Sequence, residues 1–246
     1  MKNFSVQQFT FRPLSNSIGL FPVLEQLHPM GYTGLEMCCF GGFDDLGISA
    51  GELRDRLSDI GLKLLGNHFT RAMFNGSHQA AFDYIAEAGG SYAVYNIWRD
   101  YNTLEDIGIA ADFLNETSAY AKSAGITLCY HNHAAEFAFM DGKLIIDRLL
   151  QQLDPAVCLE TDVFFARQAG TDPVEYIRNH QNRIPLIHLK QIAENGANVD
   201  LPDGVIDMAA VVQAAAPGAE FILEQSSFPG SIMDSLRRNG VYLQTM

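Results

Sequence analysis

Ile126-Thr127-Leu128-Cys129-Tyr130, running directly into His131-Asn132-His133-Ala134-Ala135-Glu136-Phe137, is the stretch that decides the fold. An apolar, β-prone run that turns abruptly into two imidazoles and a carboxylate reads as a buried strand opening into a loop. The run is nearly continuous rather than alternating, which marks a parallel strand covered on both faces. Three later segments repeat the arrangement: Cys158-Leu159-Glu160-Thr161-Asp162, Leu186-Ile187-His188-Leu189-Lys190 and Phe221-Ile222-Leu223-Glu224-Gln225. Working outward, similar runs centre near residues 6, 35, 65, 95, 128, 159, 187 and 222. They recur roughly every 30 residues, the length of a strand plus a crossover helix. Helical patterns lie between them: 49–60 with Ser49 as N-cap and Gly61 as stop, 103–124 from Thr103, 172–181 opening with Asp172-Pro173, then 207–216 and 231–239. Eight strand–helix units predict an α/β fold, a closed (β/α)8 TIM barrel. The alternative, an open doubly wound sheet, lacks a GxGxxG after its first strand. No linker or low-complexity tract interrupts residues 1–246, so one barrel domain is expected.

Composition narrows the function. Of 246 residues, 48% are hydrophobic and 18% charged, ample for a large core. The formal charge of −13 disfavours a nucleic-acid backbone or an anionic membrane as partner. No apolar run reaches the roughly 18 residues of a spanning helix. Met1-Lys2-Asn3-Phe4-Ser5-Val6-Gln7 has no signal-peptide core and reads as a strand, so a cytoplasmic protein is expected. Cys38, Cys39, Cys129 and Cys158 show no CxxC spacing and are expected to be reduced, packed thiols.

In such a barrel the reactive groups stand at the C-terminal strand ends. The second end offers Glu36, the third Asn67 and His68, and the fourth Asn96, Trp98 and Arg99. The fifth offers His131, His133 and Glu136, the sixth Glu160 and Asp162, the seventh His188 and Lys190, and the eighth Glu224 and Gln225. Any one of these could be satisfied by neighbouring backbone. A whole set at matching ends points to one divalent-metal site, because buried polar groups are costly unless they bind something. Carboxylates with an imidazole suit Mn²⁺, Mg²⁺ or Co²⁺, and can hold Zn²⁺ or Fe²⁺. Glu160 competes with Asp162 on one face. On the fifth strand His131 or His133 competes with Glu136, and a histidine there tilts the site towards Zn²⁺. These residue types favour proton abstraction beside a carbonyl. Glu36 either binds a substrate hydroxyl or holds an arginine such as Arg71; His68 faces substrate or caps a loop; Lys190 lies near the site. The polar run 191–206 is expected to form a lid, and His28, His78 and His180 to lie on the surface.

The segments Gly31-Tyr32-Thr33-Gly34-Leu35-Glu36, Tyr130-His131-Asn132-His133-Ala134-Ala135-Glu136-Phe137, Asp162 to Pro173, Ile187-His188-Leu189-Lys190 and Leu223-Glu224-Gln225 resemble the sugar phosphate isomerase/epimerase family. That family belongs to the xylose isomerase-like barrels, with inosose dehydratases and ketose 3-epimerases as relatives. The resemblance spans roughly residues 3–244. It implies Glu136, Asp162, His188 and Glu224 as metal ligands, Glu136 and Glu224 as an acid–base pair, and His68, His131 and His133 facing the substrate, His133 as a proton shuttle. Relatives often follow HLK with an Asp where Gln191 stands here, and carry Tyr-Trp where this chain has Phe164-Phe165. The expected function is a divalent-metal-dependent isomerase or epimerase of a sugar or sugar-like polyol, working through an enediolate. Its rivals are a lyase on a keto-cyclitol or 3-keto-glycoside, a metal hydrolase, and a non-catalytic sugar-binding subunit. A homo-oligomer is expected, its second subunit completing the substrate walls of so small a barrel.

Overall fold

Eight strands form a closed, all-parallel barrel within residues 3–43, 46–97 and 101–246, the parts of the chain that the computed structural model describes. They are β1 (Phe4–Gln7), β2 (Gly34–Met37), β3 (Lys63–Thr70), β4 (Tyr92–Asn96), β5 (Thr127–His131), β6 (Cys158–Asp162), β7 (Leu186–Leu189) and β8 (Glu220–Leu223). Each strand pairs with its neighbours in sequence, and β1 closes on β8 through Phe4↔Phe221, Ser5↔Ile222 and Val6↔Leu223.

Helices cover the outside: α1 (Arg12–Ile18), α2 (Leu20–Leu27), α3 (Ala50–Ile60), α4 (His78–Glu87), α5 (Leu104–Ala124), α6 (Ile145–Gln152), α7 (Val163–Gln168), α8 (Pro173–His180), α9 (Met208–Ala214) and α10 (Ile232–Leu243). The starts anticipated from sequence are capped as expected. Ser49 accepts from Glu52 N, Asp172 caps α8 with Pro173 at its first turn, and Thr103 and Asp106 form a reciprocal capping box on α5. Gly61 and Gly125 end α3 and α5 in the left-handed region, at φ 84° and 71°.

Two apolar compartments result. The larger lies between sheet and helices and includes Phe82, Leu114, Ile146, Ile177 and Leu236. A smaller one, Leu65, Val94, Cys129, Leu186 and Ile222, forms a plug inside the barrel. Side chains repeat every two residues along a strand. Two places beyond Val94, Cys129, Leu186 and Ile222 stand Asn96, His131, His188 and Glu224, a polar layer laid directly on the plug. Gly66 shapes the same region, since a Cβ there would stand 2.0 Å from Tyr92 O, so only glycine lets β3 and β4 close at this point. Opposite it, the β2–β3 register shifts between Leu35 and Glu36.

Residues 191–206 do not form the free lid expected of them. They fold into a two-stranded ribbon (Gln191–Ile192 with Asn198–Val199) and a short 3-10 turn, Leu201–Asp203. The buried Gln191 side chain donates to Leu201 O and Ile206 O and accepts from Ile192 N and Ile206 N, which ties the segment down. His28 is exposed as expected, but His78 is half-buried among Phe74, Phe82, Tyr95, Phe113 and Tyr120. All four cysteines are free thiols.

Candidate functional site

The polar layer gathers at the C-terminal mouth of the barrel. His131 from β5, Asp162 from β6, His188 from β7 and Glu224 just past β8 each offer one ligand atom, and these atoms lie within 4.8 Å of one another. All four residues are buried. Hydrogen bonds hold the rest of each side chain in place. Asp162 Oδ1 caps α7 by accepting from Phe164 N (2.8 Å) and Phe165 N (3.4 Å), so Oδ2 is buried without a partner. His188 Nε2 lies 2.8 Å from Glu36 Oε2. Its Nδ1 is 3.0 Å from Glu224 Oε2 but lacks the alignment of a hydrogen bond. His131 Nδ1 lies 2.8 Å from Glu160 Oε2, which fixes the tautomer that leaves Nε2 with a lone pair. Lys190 Nζ donates to Glu224 Oε1 at 2.6 Å, leaving Oε2 on the His188 side.

A second, deeper group overlaps the first: His68, His131, Glu160 and His188. Here the Oε2 atoms of Glu160 and Glu36 engage the imidazoles, while Glu160 Oε1 and Glu36 Oε1 are buried without a partner. Glu160 Oε2 receives His68 Nε2 at 2.5 Å as well as His131, with His188 Nε2 at 3.3 Å, and Glu36 Oε2 lies 3.3 Å from His68 Nε2. Glu36 and Glu160 thus act as the carboxylates behind the imidazoles of the first group, an arrangement that orients metal-binding histidines and raises their basicity.

The buried charges shift one another strongly. Glu36, Glu160, Asp162 and Glu224 are four buried carboxylates, while Lys190 is the one buried Lys or Arg among the described residues. Burial, together with the charge of Glu224, pushes the Asp162 carboxyl up to about 7. Burial and the neighbouring Glu160 charge raise Glu36. Burial also acts against an ionised Glu160 and Glu224. His188 and His68 hold the first well below the usual carboxylate range, and Lys190 and His188 hold down the second. Burial lowers His68, but Glu36 and Glu160 override it and lift the imidazole to about 10. Burial takes His131 down to about 3 and His133 to about 4. The unpartnered Asp162 Oδ2 and the mixed nitrogen–oxygen donor set fit a divalent ion at His131, Asp162, His188 and Glu224.

Glu136 stands apart from both groups. Its carboxylate accepts from Tyr130 Oη (2.5 Å) and from His133 N (3.0 Å), so it braces the loop after β5, and the place of a β5 donor is held by His131. Tyr101 Oη extends the chain at 2.7 Å from Tyr130 Oη. Glu36 meets the two histidines rather than Arg71, which lies over the Phe113 ring. Trp98 and Arg99 lie outside the described residues.

Above the four-residue group opens a cavity of about 250 Å³. His68, His131, His133, Lys190 and Glu224, all expected near the site, line it together with Asn96. Sequence reasoning passed over Gln7, Phe9 and Phe40, which line it too, beside Phe165 and Ser226. Gln7 ends β1 as a polar residue after an apolar run, and the same strand-end rule would have found it.

No family model matches the chain. Two curated inosose dehydratases are similar to parts of it. That of Geobacillus kaustophilus is 34% identical over 82 residues, 33% of this chain and 26% of that protein. That of Geobacillus thermodenitrificans is 30% identical over 149 residues, 52% and 49% respectively. The matched stretch thus spans between a quarter and half of these relatives. Among solved structures, a sugar phosphate isomerase/epimerase from Parabacteroides distasonis superposes with a TM-score of 0.83 at 23% identity, covering 99% of this chain and 93% of its own. An L-ribulose 3-epimerase superposes with a TM-score of 0.74 at 15% identity, covering 100% and 94%. The fold is theirs, and proteins that carry it include epimerases and dehydratases.

Proposed function

We propose that this chain is a divalent-metal-dependent enzyme that moves a proton at the carbon beside a carbonyl of a sugar or cyclitol, as an isomerase or epimerase. The observation that carries the reading is the buried, unpartnered Asp162 Oδ2, set with His131, His188 and Glu224 beneath a cavity of one sugar ring's size. Two imidazoles and two carboxylates would hold the ion, a set that suits Zn²⁺, Co²⁺ or Mn²⁺ better than Mg²⁺. A bound divalent ion supplies a Lewis acid that polarises the substrate carbonyl.

The chain's own groups do the rest. Lys190 and His68 present donors to substrate oxygens from opposite walls. Phe9, Phe40 and Phe165 offer ring faces to the apolar side of a sugar and exclude water. His133 stands against the Phe165 ring, 4.8 Å between centroids, where its imidazole can take or return a proton at the reacting carbon. Glu224, held by Lys190 at 2.6 Å, is the carboxylate that faces it from β8.

The test is metal analysis of protein purified without chelator, for wild type and Glu224→Gln together, followed by solvent-deuterium exchange into ketoses and keto-cyclitols. One tightly held ion, lost in the variant, with deuterium entering one position of a substrate, is the expected result. An apo protein that takes up no Mn²⁺, Co²⁺ or Zn²⁺ on soaking would overturn it. The similarity to inosose dehydratases favours a second reading, in which the same deprotonation expels water from the neighbouring carbon. Product mass separates the two, because elimination lowers it by one water.

A further inference from the structure

Beside the metal-facing cavity lies a larger one of about 620 Å³ at the same end of the barrel, and Phe40 lines both. We propose that this second cavity is a glycosyl subsite, so that the chain acts on one ring of a glycoside or disaccharide rather than on a free monosaccharide. The inference rests on the sugar-directed reading of the metal-facing cavity.

Chain order links the two spaces. β1 ends by giving Gln7 to the first cavity and Gln8, the next residue, to the second. The segment after β2 brings Phe40 to the boundary, its ring centroid 6.4 Å from that of Phe9, which lines the metal-facing cavity. A ring seated over the four-residue group therefore has a neighbouring space within one glycosidic bond, across an aromatic partition.

The lining chemistry suits a second polyol ring. Planar amides from Gln8, Asn16 and Asn75 and the Arg12 guanidinium line the second cavity, groups that bind adjacent hydroxyls with paired donors and acceptors. The Arg12 guanidinium lies 5.4 Å from the centre of the Phe40 ring, so aromatic and polar surfaces stand side by side, as an amphipathic sugar face requires. The floor is kept open by Gly41 and Gly42, the latter at φ +117°, where a side chain would be strained. Gln8 is positioned rather than loose, since its Oε1 accepts from Cys38 N at 3.0 Å. The small volume of the first cavity completes the argument, because about 250 Å³ has no room for two rings.

The experiment is titration calorimetry with saturation-transfer NMR on Mn²⁺-loaded protein. The probes are glucose and fructose against sucrose, maltose and trehalose. Binding of at least one disaccharide tenfold or more tighter than its component sugars, with saturation on both rings, is the expected result. Asn75→Trp and Asn16→Trp, at two exposed positions that fill the second cavity from different sides, should each remove most of that gain. Monosaccharide binding with no disaccharide advantage, or an advantage that survives both substitutions, would overturn the subsite while leaving the sugar-directed reading intact. No binding of any sugar would overturn both.

Discussion

At the scale of single residues, the site is built as much from what its side chains already hold as from what they leave free. Glu36 and Glu160 each give an oxygen to an imidazole of the four-residue group. Removing that support from a metal-binding histidine typically weakens metal affinity 10–100-fold. Glu36→Gln and Glu160→Gln should do so while the ion remains measurable by competition with a chelating dye. Glu136→Gln should behave differently, because Glu136 braces His133 N and Tyr130 Oη rather than the group itself. Metal content should stay at the wild-type level while turnover falls, and loss of the ion from this variant would return Glu136 to the ligand set. His78 gives a pH prediction. Burial among aromatic rings lowers its imidazole below the ordinary 6.5, and its buried Nε2 has no partner in the structure. The unfolded chain therefore takes up that proton first as pH falls. Stability contributed by neutral His78 is complete above about 6.5 and is lost progressively below it. His78→Phe should flatten this acid loss, read as a smaller difference in urea midpoint between pH 7 and pH 5.

At the scale of elements, the chain announced its strands and strand ends more plainly than its helices and connections. The eight apolar runs sit where the barrel strands are, because a strand covered on both faces must be apolar almost throughout. Helices α3, α5 and α8 declared themselves through Ser49, Thr103 and Asp172 as caps. Helices α1 and α2 did not, since Pro13, Gly19 and Pro22 read as punctuation, although proline is tolerated in a first helical turn. The site was legible as a set of strand ends, but the choice of His131 over Glu136 as the inward β5 side chain was not. It depends on Tyr130 and His133 N capturing the glutamate, contacts that no spacing reveals. The 191–206 connection escaped for the same reason, as Gln191 makes its bonds across the folded loop. A Cβ on Gly204 would meet Gln191 Cγ at 2.2 Å, so Gly204→Ala must displace a buried side chain carrying four hydrogen bonds. A loss of about 1–3 kcal/mol is expected in chemical denaturation, the usual cost of leaving buried polar groups unpaired.

At the scale of the whole molecule, the proposed ion would sit among four carboxylates sunk in one barrel mouth of a chain with a net charge of −13. An ion bound only by the native state should add about 2.7 kcal/mol at a hundredfold excess over its dissociation constant. For a chain of this size that raises Tm by roughly 5–10 °C, which scanning calorimetry with and without a chelator would register. The closure of β1 on β8 carries a last consequence. A parallel barrel has no edges once shut, but a nascent chain has two bare ones until residues 220–223 are made and have travelled back to residues 4–7. That contact spans nearly the full sequence, the kind that slows folding and leaves unfinished sheets prone to pair with other chains. Glu224 follows β8 directly, so the fourth donor reaches the mouth only when the ring shuts. An ion held there, as proposed, would seal a finished barrel rather than seed an unfinished one.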